Sequence, residues 1–414
     1  MKILYPAAYF YPENTSFTHL EHDLLHALVS AGHEVEVLCP VPTRGIQQDV
    51  QEKFRQVREE TLWQGKVRVH RFWAPKEGCN PLIRAFRYFW CAFQIWHIGR
   101  KYQDIDLIFG VSTPPIQGLT MARIKRKLNC PCVYIVQDLF PESLVSTGLA
   151  KSRGLIWKLG DWVVANTYPA MDGLIVISQS FREALLSRET PAEKIHVVYN
   201  WIDTQRVVPV AREENPLYEE LRIPRDKFLV LYAGNLGESQ NGKCIVDAAA
   251  LLQQEPNIIF VIFGGGSEYE VLRRYAEQKE LKNIIFHTML PQERVSQVYS
   301  LGDVALITCK PGTGKAGMPS KLWTIMATGT PVLASFDLDS ELAKIICQVG
   351  CGEVVEPDTP VALAKAIQKA QENWQQLNEI GLRGRKYAVE HVGRHAATAA
   401  YLNIFENSVC RWRY

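Results

Sequence analysis

Short apolar runs recur along the chain, each followed by a turn and then a stretch with helical spacing. That alternation predicts an α/β fold, with mostly parallel strands and helices on both faces of each sheet. In the first half, residues 2–6, 34–39, 67–72, 107–111, 133–137, 174–177 and 196–199 read as strands. The clearest helix between them is 18–30, closed by Gly32. A second series places strands at 228–233, 258–263, 283–286, 304–308, 331–334 and 352–355, with helices at 245–253 and 268–280. The last stretch, 377–409, keeps helical spacing for longer than a closing helix needs, and is predicted to run back to the first domain.

Between the two series, residues 204–227 are polar and contain Pro209, Pro216 and Pro224. This predicts a linker between a first domain at 1–203 and a second at 228–390, with 391–414 as the returning helix. The 414 residues are enough for two doubly wound domains. Such sheets bind ligands at the carboxyl ends of their strands, and two of them facing each other would enclose a cleft.

Composition narrows the function. The chain is 47% hydrophobic and 22% charged with a net charge of +2, a globular balance without the basic field of a nucleic-acid binder. Ten cysteines are scattered without CxxC pairs, which suits buried thiols in a cytoplasmic protein better than a zinc ribbon. The N-terminus reads directly as a strand, without a cleavable signal. No run of ~20 apolar residues suggests a membrane span. The stretch 82–101 is rich in aromatics and has basic flanks, and 123–127 is a basic run. Together they suit peripheral contact with the inner face of the cytoplasmic membrane, or equally a helix buried in the first domain.

The candidate chemistry lies at strand ends. Strand 258–263 runs into Gly264, Gly265, Gly266 and Ser267, and strand 228–233 into Gly234, Asn235, Leu236 and Gly237. Glycines there let backbone amides approach an anion, and they suit a tight strand-to-helix turn equally well. A glycine-rich segment from Pro311 ends in Met318, Pro319, Ser320 and Lys321 and lacks P-loop spacing. Lys321 opens a helix, where a cation opposes the helix dipole unless an anion is near, so it reads as a phosphate ligand. In the first domain Asp138 follows a strand, as a site carboxylate or a cap. His22 and His26 are four residues apart, but no third metal ligand accompanies them, so a packing role is expected.

Taken in order, these segments are familiar. They are Phe10-Tyr11-Pro12-Glu13, Ala31-Gly32-His33-Glu34-Val35, Ser112-Thr113-Pro114-Pro115, Asp138-Leu139-Phe140-Pro141-Glu142-Ser143 and Tyr199-Asn200-Trp201-Ile202-Asp203. The second half adds Tyr232-Ala233-Gly234-Asn235-Leu236-Gly237, the three glycines 264–266, Met318-Pro319-Ser320-Lys321 and Ala327-Thr328-Gly329-Thr330-Pro331-Val332. Over nearly its whole length the chain resembles the retaining glycosyltransferase family 4. Within it, the look is that of bacterial O-antigen and exopolysaccharide transferases of the N-acetylfucosamine type.

The resemblance implies a GT-B fold, in which two facing Rossmann-like domains are tied by the C-terminal helix. It also implies a retaining, metal-independent transferase with no separate cofactor. The donor would be a nucleotide sugar, UDP-linked, and the acceptor a lipid-linked saccharide. The loops at 234–237 and 264–267, with Ser320 and Lys321, would surround the diphosphate. Met289, Leu290 and Pro291 would lie along the base, and Thr324 would sit nearby. Glu13, Asn14, Thr15, Ser16 and Asp138 would line the acceptor side.

Four positions depart from the family pattern. A pair of glutamates is replaced by Ala316 and Thr324, and basic residues of the diphosphate loop by Asn235 and Gln240. A glycine pair is replaced by Thr15 and Ser16, and a histidine by Gln137. Lys321, helped by Lys243 or Lys315, is left to offset the leaving charge. Two rival readings are a GT-B epimerase or phosphorylase, and an inactive nucleotide-sugar-binding partner.

Overall fold

The computed structural model describes residues 1–13, 15, 17–77, 81–143, 151, 154–314 and 318–413. Of the positions singled out above, Asn14, Ser16, Lys315 and Ala316 lie outside the described residues. The chain divides into two compact units, one of residues 1–199 with 397–414 and one of residues 200–396.

The first unit is built on an eight-stranded sheet. Its strands are β1 (Lys2–Pro6), β2 (Glu34–Pro40), β3 (Glu59–Leu62), β4 (Val67–Phe72), β5 (Leu107–Val111), β6 (Cys132–Val136), β7 (Gly173–Val176) and β8 (Ile195–Val197). They lie in the order β3-β4-β2-β1-β5-β6-β7-β8. All pair in parallel except β3, which runs antiparallel to β4. Strands β5, β6 and β7 are buried at every position, as expected for parallel strands covered on both faces. Helices Pro81–Gly99, Ile116–Leu128 and Leu155–Thr167 cover one face.

The helix Arg394–Arg413 contributes its residues from Ala397 onward to this unit. Its Phe405 is fully buried and packs 5.1 Å from Phe109, which in turn stacks on Tyr5 at 4.4 Å. Arg413 closes the helix with a 2.6 Å ion pair to Asp106. The predicted continuous helix is in fact two, Leu377–His391 and Arg394–Arg413. The break comes at Gly393, where Ile202 exchanges backbone hydrogen bonds with Val392 and Arg394.

The second unit holds six parallel strands. They are β9 (Phe228–Asn235), β10 (Ile258–Gly265), β11 (Ile284–Thr288), β12 (Val304–Thr308), β13 (Val332–Ser335) and β14 (Gly352–Val355), in the order β11-β10-β9-β12-β13-β14. The order reverses direction at β9, which places a topological switch point between the carboxyl ends of β9 and β12.

The expected linker is part of this unit. Asn215 is fully buried and donates to the Gln297 carbonyl at 2.7 Å, Leu217 and Tyr218 are buried, and Arg212 pairs with Asp303. Prolines and charges there mark a capping segment, because the charged groups find partners on the unit itself. The boundary between units accordingly falls at 199/200, ahead of the predicted 203/204, and the return to the first unit at 397. Among the described residues, no helix is long and apolar enough to cross a membrane.

Candidate active site

The two predicted glycine loops meet because their strands are neighbours in register. Gly234 pairs with Gly264, and Asn235 with Gly265. Leu236 donates its N–H to the Gly265 carbonyl at 2.7 Å, and its own carbonyl accepts from Glu268 at 2.9 Å. Gly266, at φ +113°, leaves no room for a side chain. A Cβ there would come within 2.4 Å of Asn235 Oδ1 and 2.8 Å of the Leu236 carbonyl. A Cβ on Gly265 would meet nothing within 4 Å, so that backbone faces open space.

Lys321 points at this paired turn. Its Nζ lies 3.0 Å from the place a Cβ of Gly234 would occupy, and Gly234 is held at φ +143°. The ammonium donates to the Tyr232 hydroxyl at 3.0 Å and sits 4.1 Å from the centre of that ring. Tyr232 donates its own O–H to the Asn235 carbonyl at 2.7 Å, which leaves the hydroxyl oxygen as an acceptor for the lysine. Among the described residues no carboxylate comes within ion-pair distance of Lys321. Burial without a counter-charge pulls its pKa down from 10.5 to about 8. A desolvated cation against glycine backbone has the chemistry to accept an anion.

The remaining predicted positions of this unit fall around the same edge. Ser267 and Ser320 are exposed, Met318 and Thr324 are half-buried, and Gly237 donates its N–H to Gln240 Oε1 at 3.0 Å. Gln240 therefore holds the loop's own backbone. Met289 is exposed just past the end of β11, with Leu290 and Pro291 following it. Lys243 is turned to Asp247 on the next helical turn, away from a role beside Lys321.

Two residues here escaped the sequence reading. The carboxylate of Asp337, just after β13, accepts from the N–H of Gly312 at 2.9 Å and of Gly314 at 2.8 Å. It clamps the turn that leads to Lys321. His287 stacks on Phe263 at 5.2 Å with Nε2 buried and unpartnered among the described residues, and burial lowers its pKa. A lone Asp at a strand end and a lone His within a strand give no pattern to search for.

In the first unit, Asp138 is exposed just past the end of β6. Its backbone N–H is 3.4 Å from Ser112 Oγ, which also accepts from the Gln137 N–H at 3.0 Å, and its Oδ2 is 3.4 Å from Thr113 Oγ1. Glu13 behaves differently from expectation. It is buried, and its carboxylate accepts from the backbone N–H of Thr43 at 2.7 Å, Arg44 at 2.9 Å and Phe10 at 3.3 Å. It ties loops together and presents no open carboxylate. Thr15 bonds to Thr18 at the start of the helix Thr18–Ser30. His22 and His26 both pack edge-on against Trp63, a packing role. A further buried acid, Glu21, accepts from Tyr5, and desolvation raises its pKa to about 8.

Comparisons with known proteins agree with this geometry. Residues 21–206 match the model of Glycosyltransferase Family 4, and residues 214–387 that of Glycosyl transferases group 1. The chain is 28% identical to a putative colanic acid biosynthesis glycosyl transferase, WcaI of Escherichia coli K12, over 384 residues, covering 89% of this chain and 92% of that protein. It is 27% identical to a probable glycosyltransferase, WbjE of Pseudomonas aeruginosa, over 63% of this chain and 65% of that one.

Two solved structures share the fold. Anabaena Alr3699/HepE in complex with UDP superposes with a TM-score of 0.71 at 16% identity, covering 98% of this chain and 100% of that one. Sucrose-phosphate synthase of Thermosynechococcus elongatus gives 0.70 at 19% identity, covering 98% of each. With two doubly wound units, family models across both halves and relatives named as transferases, the chain belongs to glycosyltransferase family 4 and is a glycosyltransferase of the GT-B fold.

Proposed function

We propose that the protein transfers a sugar from a nucleoside-diphosphate sugar, UDP-linked, to a lipid-linked saccharide in cell-surface polysaccharide synthesis. The names of WcaI and of the UDP complex of HepE support this reading of pathway and donor. The observation that carries it is the Lys321 ammonium, desolvated and without a counter-charge among the described residues, against the backbone of Gly234. A diphosphate leaving the anomeric carbon develops negative charge there, and a fixed cation stabilises it without reorganisation. Met289 and its neighbours receive the base. In the first unit, Asp138 orients the acceptor, while Glu13 shapes the loop beside it. Transfer retains anomeric configuration, needs no metal ion, and takes place at the cytoplasmic face of the membrane.

Transfer assays with purified protein, UDP-sugars and membrane lipid acceptor test the reading. Lys321→Ala is expected to lower turnover at least about a hundredfold, the loss typical of one oxyanion donor, with an unchanged fold. A near-normal rate in that variant removes Lys321 from the role. Epimer formed from donor without acceptor would replace transferase by epimerase.

A further inference from the structure

The helix layer of the first unit leaves two ridges of large apolar side chains uncovered. On helix Leu155–Thr167, Leu155 is 87% exposed, and Ile156, Leu159 and Trp162 are each more than half exposed. On helix Pro81–Gly99, Ile83, Phe86, Phe89 and Phe93 stand out in the same way, with Trp73 beside them. Isolated exposed apolar residues are ordinary, but rows of four at helical spacing are not.

Both ridges lie at the carboxyl edge of the sheet. Helices 81–99, 116–128 and 155–167 pack in that order across one face. The last turn of helix 155–167 meets the first turn of helix 116–128, since a Cβ on Gly118 would lie 2.3 Å from Thr167 Cγ2. Gly160 packs on Phe140 and Pro141, beyond the end of β6. The first turns of helix 155–167 therefore overhang the strand ends. Helix 81–99 does the same. Its Gly99 meets Ile124, well along helix 116–128, while Arg87 and Trp90 donate to carbonyls of the segment after β4. Asp138 lies at this same edge.

The charge of the layer is one-sided. Helices 81–99 and 116–128 contain no Asp or Glu, and helix 155–167 contains only Asp161, which is paired to Arg188 at 2.7 Å. Against this stand the exposed Lys158, on the same helix face as Leu155, Leu159 and Trp162, and Lys151 just before the helix. Arg123, Arg126 and Lys127 are exposed on the middle helix but in its last turns, toward the amino ends of the strands and away from this edge, while Lys125 is used internally by Asp172. The acids at this edge are Asp138 and Glu142, the latter paired to Arg188 at 2.7 Å, and apolar rows with exposed Lys158 and Lys151 beside them fit an interface of acyl chains under anionic headgroups.

The geometry points to a membrane-docking surface formed by the overhanging halves of helices 155–167 and 81–99, with an anionic bilayer as its occupant. Helix 155–167 is the anchor that neither charge runs nor hydropathy singled out. The inference rests on the reading of a lipid-linked acceptor, which the docked edge would meet at the bilayer surface.

Co-sedimentation of the full chain with vesicles tests it. One set is of phosphatidylcholine and the other has about a third phosphatidylglycerol. The protein is expected to bind the anionic vesicles, less at high salt. Leu159→Glu and Trp162→Glu, both at exposed positions, are expected to weaken that binding at least about tenfold, since each puts a charge where acyl chains would lie. Melting temperature and transfer to a water-soluble acceptor analogue should not change. Wild-type protein that stays in the supernatant, or variants that bind as well as wild type, would overturn the docking surface. So would light scattering that shows the ridge buried in a dimer which Leu159→Glu dissociates. Loss of nucleotide binding would instead count against the transferase reading, so the two failures are distinguishable.

Discussion

Glu13 and Lys321 are both charged residues set near the carboxyl edge of a doubly wound sheet, and the structure treats them in opposite ways. Glu13 is buried with three backbone N–H donors converging on its carboxylate, so its charge is consumed by the fold. Lys321 is desolvated with one tyrosine hydroxyl and no carboxylate among the described residues. Burial raises the pKa of Glu13 too, but its three N–H donors would be left without an acceptor if it were removed, so the fold depends on it. A charge the fold desolvates and leaves unmatched costs stability and waits for a ligand. The sequence reading placed both at a candidate site, Lys321 as a phosphate ligand and Glu13, by resemblance, on the acceptor side.

The largest expected effect comes from making each site neutral. Lys321→Met should lower turnover about a hundredfold or more while the melting temperature of the empty protein stays level or rises, because an unpaired buried charge is removed. Glu13→Ala should do the reverse. Three N–H groups lose their acceptor, and unfolding stability should fall by about 3 kcal/mol in denaturant titration with nucleotide affinity retained. Glu13→Gln keeps one oxygen for Thr43 and Arg44 and should lose less. If Glu13→Ala abolished transfer at unchanged stability, the contrast between the two would fail.

Asp337→Ala should have an intermediate effect. It frees the N–H groups of Gly312 and Gly314, and is expected to raise the donor KM several-fold more than it lowers kcat, at a cost of about 1–2 kcal/mol in stability. A smaller effect is predicted at Glu21, whose folded pKa is raised to about 8 from 4.5. Between those values the folded state binds the extra proton, so this residue's contribution is full below pH 4.5 and fades as pH rises toward 8. Glu21→Gln should flatten that part of the stability profile measured by thermal melts across pH.

Much of the fold was legible because parallel strands buried on both faces read as continuous apolar runs. Strands β1, β5 and β12 have the predicted ends for this reason, and β4 and β14, which are not buried on both faces, also have them. Strand β3 was not legible, since Glu59-Glu60-Thr61-Leu62 is an edge strand with half its positions exposed and no apolar run. Residues 204–227 were misread because a capping segment with paired charges has the composition of a linker. The glycine loops of the second unit were legible as strand–glycine junctions, and Lys321 as a lysine that opens a helix, and the structure brings them together. Asp337 could not, since its role depends on two N–H groups more than twenty residues away in sequence. Nor could the uncovered ridge of helix 155–167, because an exposed apolar face has the same spacing as a buried one.

The central claim is that Lys321 is a cation held ready for a diphosphate, and proton uptake on nucleotide binding tests it most directly. Titration calorimetry with uridine diphosphate near pH 9, in buffers of different ionisation enthalpy, counts protons exchanged on binding. With Lys321 titrating at about 8 when the site is empty, binding should take up close to one proton and affinity should fall as pH rises above 8, and both effects should vanish in Lys321→Met. Binding without proton uptake, or with the same uptake and affinity in Lys321→Met, would contradict the account.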